Sequence, residues 1–207
     1  MLHALIVSAL VAYFLGNLNG AVLVSAMLKD DVRSHGSGNA GLTNFIRNFG
    51  SGRALYVIAI DMGKAILACE TTRLILSPYV DGASGTALGA LCVLLGHIFP
   101  VLLGFKGGKG ILSGVTVALM MDWRLGLLVF GIFLVAYLLT KYVSLGSVLS
   151  AGSFGFFYFW AHGDGPKFPI LIAFFLSFLV VWMHRGNILR LIKGEERKTN
   201  LFGKGKK

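Results

Sequence analysis

Charge is scarce in this chain: only 14% of its 207 residues are Asp, Glu, Lys or Arg, against 56% hydrophobic residues. That balance, in long apolar runs, excludes an ordinary soluble domain and points to an integral membrane protein. Acids are the scarcer sign, 9 against 19 Lys and Arg, for a net charge of +10. In a membrane chain such a surplus is loop asymmetry, so no nucleic-acid partner is expected. Cysteine is limited to Cys69 and Cys92, both in apolar segments, which reads as packing rather than a disulfide. No Cys/His metal spacing occurs, so no metal and no cofactor is expected. No His stands beside a carboxylate at short spacing, so a ready-made acid–base pair is not on offer. No internal repeat of about 20–50 residues is visible. The N-terminal apolar segment lacks a basic flank and is too long for a signal-peptide core, so it reads as a membrane helix retained from about Met1.

What is present is a series of apolar spans. Residues 2–28 read as the first, with Gly16 and Gly20 at the spacing that favours close helix packing. Asn17 and Asn19 between them read as interhelical glue, with a site role as the alternative. Residues 53–76 read as a second helix carrying Asp61, Lys64, Glu70 and Arg73, each acid three residues before a base and able to neutralise it. Buried charge in a span is functional by default, and internal pairing makes a structural role equally open. A third span covers residues 85–103, with Pro100 expected to kink or end it. Residues 111–121 are too few to cross a bilayer of about 30 Å and read as a half helix. Further spans follow at 125–140, 143–162 and 168–192.

The expected architecture is therefore an all-α membrane bundle of about seven helices, one of them short. It forms one membrane-embedded domain over residues 1–192, followed by a basic tail, residues 193–207, assigned to the lipid surface. Of the 19 Lys and Arg, only Arg124 and Lys167 fall opposite the majority, and Lys64 and Arg73 lie within a span. That asymmetry places the N-terminus outside and the C-terminus in the cytoplasm.

Three polar segments then share the cytoplasmic face. Residues 104–110 read Gly-Phe-Lys-Gly-Gly-Lys-Gly between two apolar runs. Glycine-rich backbone can turn its N–H groups inward, and the helix that follows adds its positive end, which together suit a phosphate. An ordinary positive-inside turn is the alternative on this stretch alone. It is not an NTPase P-loop, because Gly110 stands where Ser or Thr is required. Residues 33–50 are dense in glycine, hydroxyls and amides, and Thr43, Asn44 and Arg47 can share one helical face. Arg47 offers a forked donor suited to phosphate oxygens. In the third segment His184 and Asn187 are i,i+3 neighbours, readable as an interfacial anchor or as part of a site.

Taken together these segments resemble the bacterial acyl-phosphate:glycerol-3-phosphate acyltransferase family (PlsY). The resemblance rests on Gly36-Ser37-Gly38-Asn39-x-Gly41-x-Thr43-Asn44-x-x-Arg47 and on Gly96-His97-x-x-Pro100 followed by Phe105-Lys106-Gly107-Gly108-Lys109-Gly110. Tyr142-Val143-Ser144-Leu145 and His184-Arg185-x-Asn187-Ile188-x-Arg190-Leu191-x-x-Gly194-x-Glu196 complete it. Asn17, Ala65, Ser113 and Gly146 depart from the usual family residues, none at an anion-binding position.

The resemblance implies transfer of a fatty acyl group from acyl phosphate to the sn-1 hydroxyl of glycerol 3-phosphate, yielding lysophosphatidic acid and phosphate. The expected partners are those two substrates and membrane lipids, with a monomer sufficient. The expected catalytic residues are His184, Asn187, Lys106 and Ser37. Expected at the substrates are Ser37, Gly38, Asn39, Thr43, Asn44, Arg47, Lys106, Gly107, Gly108, Lys109, Ser144, His184 and Asn187. His184 or a phosphate oxygen of the substrate takes the hydroxyl proton; the second route is favoured. His97 reads as structural or as a hydrogen-bond donor. The competing class is a carrier or channel for phosphate or another small anion, opposed by the absent repeat and by polar segments gathered at one face.

Overall fold

The computed structural model describes residues 1–199, and every regular element among them is helical. The first span is two helices, α1 (Leu2–Asn17) and α2 (Gly20–Met27), bent by 45° where a single continuous span was expected. The break is chemical. Asn19 takes an extended backbone and its side-chain oxygen accepts from the Val22 N–H, starting α2 afresh. Its amide donates to the Ala40 carbonyl at 3.0 Å, tying the break to the polar loop beyond. Because the chain bends here, Gly16 and Gly20 serve different neighbours. A Cβ on Gly16 would sit 2.3 Å from the Val93 carbonyl, and one on Gly20 2.7 Å from the Val57 carbonyl.

A short helix α3 (Leu42–Phe49) leads into α4 (Ala54–Leu76) and α5 (Gly82–Ile98). Helices α1, α4 and α5 pack against one another through small residues, Ala12, Ala65, Ala68, Ala87 and Ala90, all fully buried. Helix α5 ends ahead of Pro100, which cannot continue it. Tyr13 on α1 donates its hydroxyl to the Phe99 carbonyl, and Asn17 accepts from the Leu102 N–H, so α1 fixes the course of the following loop. Asn17 and Asn19 are glue, as the sequence suggests.

Helix α6 (Ile111–Met121) has the bounds expected of the half helix, and it packs against α4, α5 and α7. Helices α7 (Trp123–Thr140), α8 (Val143–His162) and α9 (Lys167–Met183) form the second half of the bundle. At their far end Asp122 caps α7 and its carboxylate meets His162 of α8 at 2.9 Å. The last span is also broken: α9 and α10 (Arg185–Ile192) meet at 56° around His184. Among the described residues three stretches, Gly82–Leu103, Trp123–Thr140 and Val143–His162, are long and apolar enough to cross a membrane, or up to five if each bent pair counts as one.

The charged residues of α4 pair as expected. Lys64 and Asp61 meet at 2.7 Å with side chains 1% and 2% exposed. Glu70 and Arg73 meet at 2.6 Å on a half-exposed face. Cys69 and Cys92 are unpaired thiols within the bundle.

Candidate functional site

The loop between α2 and α3 is built around one buried side chain. Asn44 donates its amide to the carbonyls of Val32, His35 and Asn39 at 2.9–3.1 Å. Its oxygen accepts from the Ser37 N–H at 3.1 Å and from Asn48. Gly36 (φ +61°) and Gly38 (φ +68°) supply the left-handed turns this wrapping needs. The loop is thereby held with Ser37, Asn39 and Thr43 along a cavity. One His–carboxylate pair does form here, unseen in the spacing: His35 and Asp30 meet at 2.9 Å, on a half-exposed surface away from the cavity lining.

In the loop 104–110 Gly107 and Gly108 do not take positive φ; Gly104 and Gly110 do. They serve close approach instead. A Cβ on Gly107 would lie 2.1 Å from the His97 carbonyl, and one on Gly108 2.3 Å from His97 Nε2. The Gly108 N–H donates to the His97 carbonyl at 3.2 Å. The expectation that Gly108 cradles phosphate with its amide is corrected: that amide is used, and Gly108 is buried behind the cavity wall. The packing pushes Lys106 and Lys109 out along the cavity.

The third part comes from the C-terminus. Lys109 donates to the Asn187 side-chain oxygen, and the Asn187 amide donates to Glu196 at 2.9 Å. Ser144 at the start of α8 donates to the same Glu196 oxygen at 3.0 Å, and Arg190 to the other at 2.8 Å. Burial pushes the Glu196 carboxyl up, yet these bonds outweigh it and hold the group below its ordinary value. The chain then crosses to Arg47, which donates to Thr199 and to the Arg197 carbonyl. Glu196, Arg197 and Thr199 thus meet the site, where the sequence assigned the tail to the lipid surface; residues 200–207 lie outside the described residues.

His184 caps α9, and its Nδ1 lies 2.8 Å from the Val180 carbonyl. A carbonyl only accepts, so Nδ1 carries the proton and Nε2 is left as an acceptor at the cavity. Lys109 is half-buried near Arg190; desolvation first, then that neighbouring charge, brings its ammonium down to about 8.

These groups surround one end of a cavity of about 1460 Å³. All the sequence-expected site residues line it except Gly108. Away from them the lining turns apolar: Ile58 and Met62 from α4, Val115 and Leu119 from α6, Phe130 and Leu134 from α7. The residues that line this apolar trench, the closing role of Glu196 and Thr199, and the place of His97 and Asp61 in the wall were not read from the sequence, although a groove for an acyl chain was expected. For Glu196 a signal existed, a lone acid pair in a basic tail. For the trench the lining is indistinguishable in composition from lipid-facing surface.

A helical membrane bundle with a cationic end joined to an apolar trench defines the class of enzymes that work on charged headgroups and acyl chains together. A sequence profile of glycerol-3-phosphate acyltransferases matches residues 6–194, and the chain belongs to that family. A glycerol-3-phosphate acyltransferase of Prochlorococcus marinus (strain MIT 9215) is 39% identical over 190 residues, 91% of this chain and 94% of its own. One from Thermoanaerobacter pseudethanolicus is 36% identical, covering 93% of this chain and 94% of its own. The crystal structure of the integral membrane acyltransferase PlsY (YgiH) in its glycerol 3-phosphate form superposes with TM-score 0.85 at 29% identity, over 95% of this chain and 96% of that one. Its lysophosphatidic acid form superposes with TM-score 0.82.

Proposed function

We propose that this chain transfers a fatty acyl group from acyl phosphate to the sn-1 hydroxyl of glycerol 3-phosphate. The observation that carries the reading is one continuous cavity, cationic at one end and apolar at the other. Lys106, Lys109 and Arg47 hold the phosphates, Arg47 by exchanging its bond to Thr199 for a phosphoryl oxygen. The trench takes the acyl chain. His184 Nε2 accepts a hydrogen bond from the neighbouring sn-2 hydroxyl, which aims the sn-1 oxygen at the acyl carbonyl and leaves the sn-1 proton facing the phosphate. The new ester C–O bond forms and the carbonyl carbon's bond to the phosphate oxygen breaks. The phosphate leaves with that electron pair and takes the hydroxyl proton, while the lysines stabilise its charge. Asn187 orients Lys109, and Ser37 donates to a phosphoryl oxygen. Asn44 acts one step back, by shaping the loop.

Purified protein in detergent, given glycerol 3-phosphate and palmitoyl phosphate, should release lysophosphatidic acid and inorganic phosphate in equal amounts. Equal rates with palmitoyl-CoA would assign the chain to another acyltransferase class. The same assay tests Lys109. Its ammonium binds phosphate while protonated, so affinity is present below about pH 8 and lost above it. KM for a phosphate-bearing substrate should therefore climb on a one-proton limb near that pH, and Lys109→Arg should abolish the limb. A flat KM from about pH 7 to 9 would remove Lys109 from the phosphate contacts.

The bundle has about seven membrane helices, one of them short, with the N-terminus outside and the C-terminus and the site on the cytoplasmic face; the Lys/Arg asymmetry supports this orientation. Cysteines placed at the exposed Ser34 and at Lys198 of a Cys69→Ala, Cys92→Ala background should react only with membrane-permeant maleimides in intact cells. Labelling of either by an impermeant reagent would invert the orientation.

A further inference from the structure

His97 sits on α5 with 4% of its surface exposed, and that sliver faces the cavity. Its Nδ1 lies 2.7 Å from the Lys64 ammonium. Lys64 also donates to the Leu18 carbonyl at 2.6 Å and to Asp61 at 2.7 Å. An ammonium has three hydrogens and no acceptor, so all three of its partners must accept. Asp61 keeps it an ammonium, and Nδ1 of His97 must present a lone pair. The imidazole proton therefore sits on Nε2.

Nε2 has no protein partner among the described residues, and it is not sealed off in the interior. Behind the ring lies Gly108, whose missing Cβ would fall 2.3 Å from Nε2, so the glycine lets the backbone pack against the imidazole and leaves the ring seated with its open edge at the cavity. The two cavity histidines thus have opposite hydrogen-bonding sense: His184 offers an acceptor, His97 a donor.

We propose that His97 Nε2–H donates a hydrogen bond to a phosphoryl oxygen of bound substrate, with Lys64 and Asp61 as positioning residues that hold the donor tautomer. This rests on the acyltransferase reading above. The phosphoryl group belongs to acyl phosphate or to glycerol 3-phosphate, and the kinetics separate the two.

His97→Asn keeps an oxygen near the Nδ1 position for Lys64 and removes the donor at the cavity. It should raise KM for one of the two substrates by about tenfold while kcat changes little, and the substrate affected identifies the phosphate. His97→Gln puts an amide donor near the Nε2 position and should recover most of that loss. On the parent protein, ¹⁵N-histidine NMR in micelles, with the His97 signal assigned by its absence in His97→Asn, should show protonated Nε2 and bare Nδ1. Nε2 should shift when glycerol 3-phosphate or inorganic phosphate is added. A protonated Nδ1, or a His97→Asn protein with both KM values intact, overturns the proposal. So does a loss confined to kcat that His97→Gln does not relieve. No acyl transfer by the parent protein would remove the acyltransferase reading itself, and this inference with it. Should His97→Asn fail to fold, His97→Gln, which also lacks the signal, assigns it, and the NMR of the parent protein still decides the tautomer and the ligand contact.

Discussion

Lys64→Met is expected to cost about 3–5 kcal/mol of stability, since it strands a buried carboxylate without its countercharge. Asp61 is 2% exposed, so almost none of its carboxylate is hydrated. Its oxygen would keep only the Gly20 N–H, at 3.1 Å. The Leu18 carbonyl and His97 Nδ1 would lose a donor at the same moment. Thermal unfolding in detergent reads the effect, and a melting point within about 2 °C of the parent would show the cluster to be dispensable. The double variant Asp61→Leu, Lys64→Met should recover only part of the loss. It removes the stranded charge, yet leaves the Gly20 N–H and Leu18 carbonyl unpaired inside the bundle, each costing about 1–3 kcal/mol. The cluster thus holds the α1–α2 break against α4 and α5, beside the loop that carries the lysines.

Gly108→Ala should lower kcat/KM by about a hundredfold, the scale of a displacement near 1 Å at a reacting centre. The added methyl would meet His97 Nε2 at 2.3 Å and the Ala40 carbonyl at 2.8 Å. Neither is the end of a flexible chain, so the two polar loops must part. Gly104→Ala is the matched control. Gly104 takes φ +63° with nothing within 4 Å of a Cβ, so the variant meets left-handed strain of about 1–2 kcal/mol and no clash. Its kcat/KM should stay within about threefold of the parent's at assay temperature. Equal activities of the two variants would show that close approach at Gly108 does not set the site.

Helix placement was legible because apolar runs and polar gaps are local composition. Residues 111–121 were bounded correctly on that basis, and Pro100 announced the end of α5. The breaks at Asn19 and His184 were not, because each needs one or two residues to leave the helix within apolar surroundings. The cationic loops could be read from Lys106, Lys109 and Arg47, whose charges need partners at a membrane face. Their partners could not be read: Ser144 meets Glu196 across 52 residues, and no local spacing encodes that. Gly107 and Gly108 show a subtler limit. A glycine signals either conformational freedom or close approach, and only the neighbour across the gap, here His97, decides between them.

Because chains are made from the N-terminus, α1 through α10 leave the ribosome before Glu196 does. Until that residue emerges, Ser144, Asn187 and Arg190 lack their shared carboxylate, and Arg47 lacks Thr199. The headgroup end of the cavity is therefore completed only by residues C-terminal to α10. A chain truncated ahead of Glu196 would keep every helix and leave its anion-binding groups unorganised, so it should insert in the bilayer and lose acyl transfer.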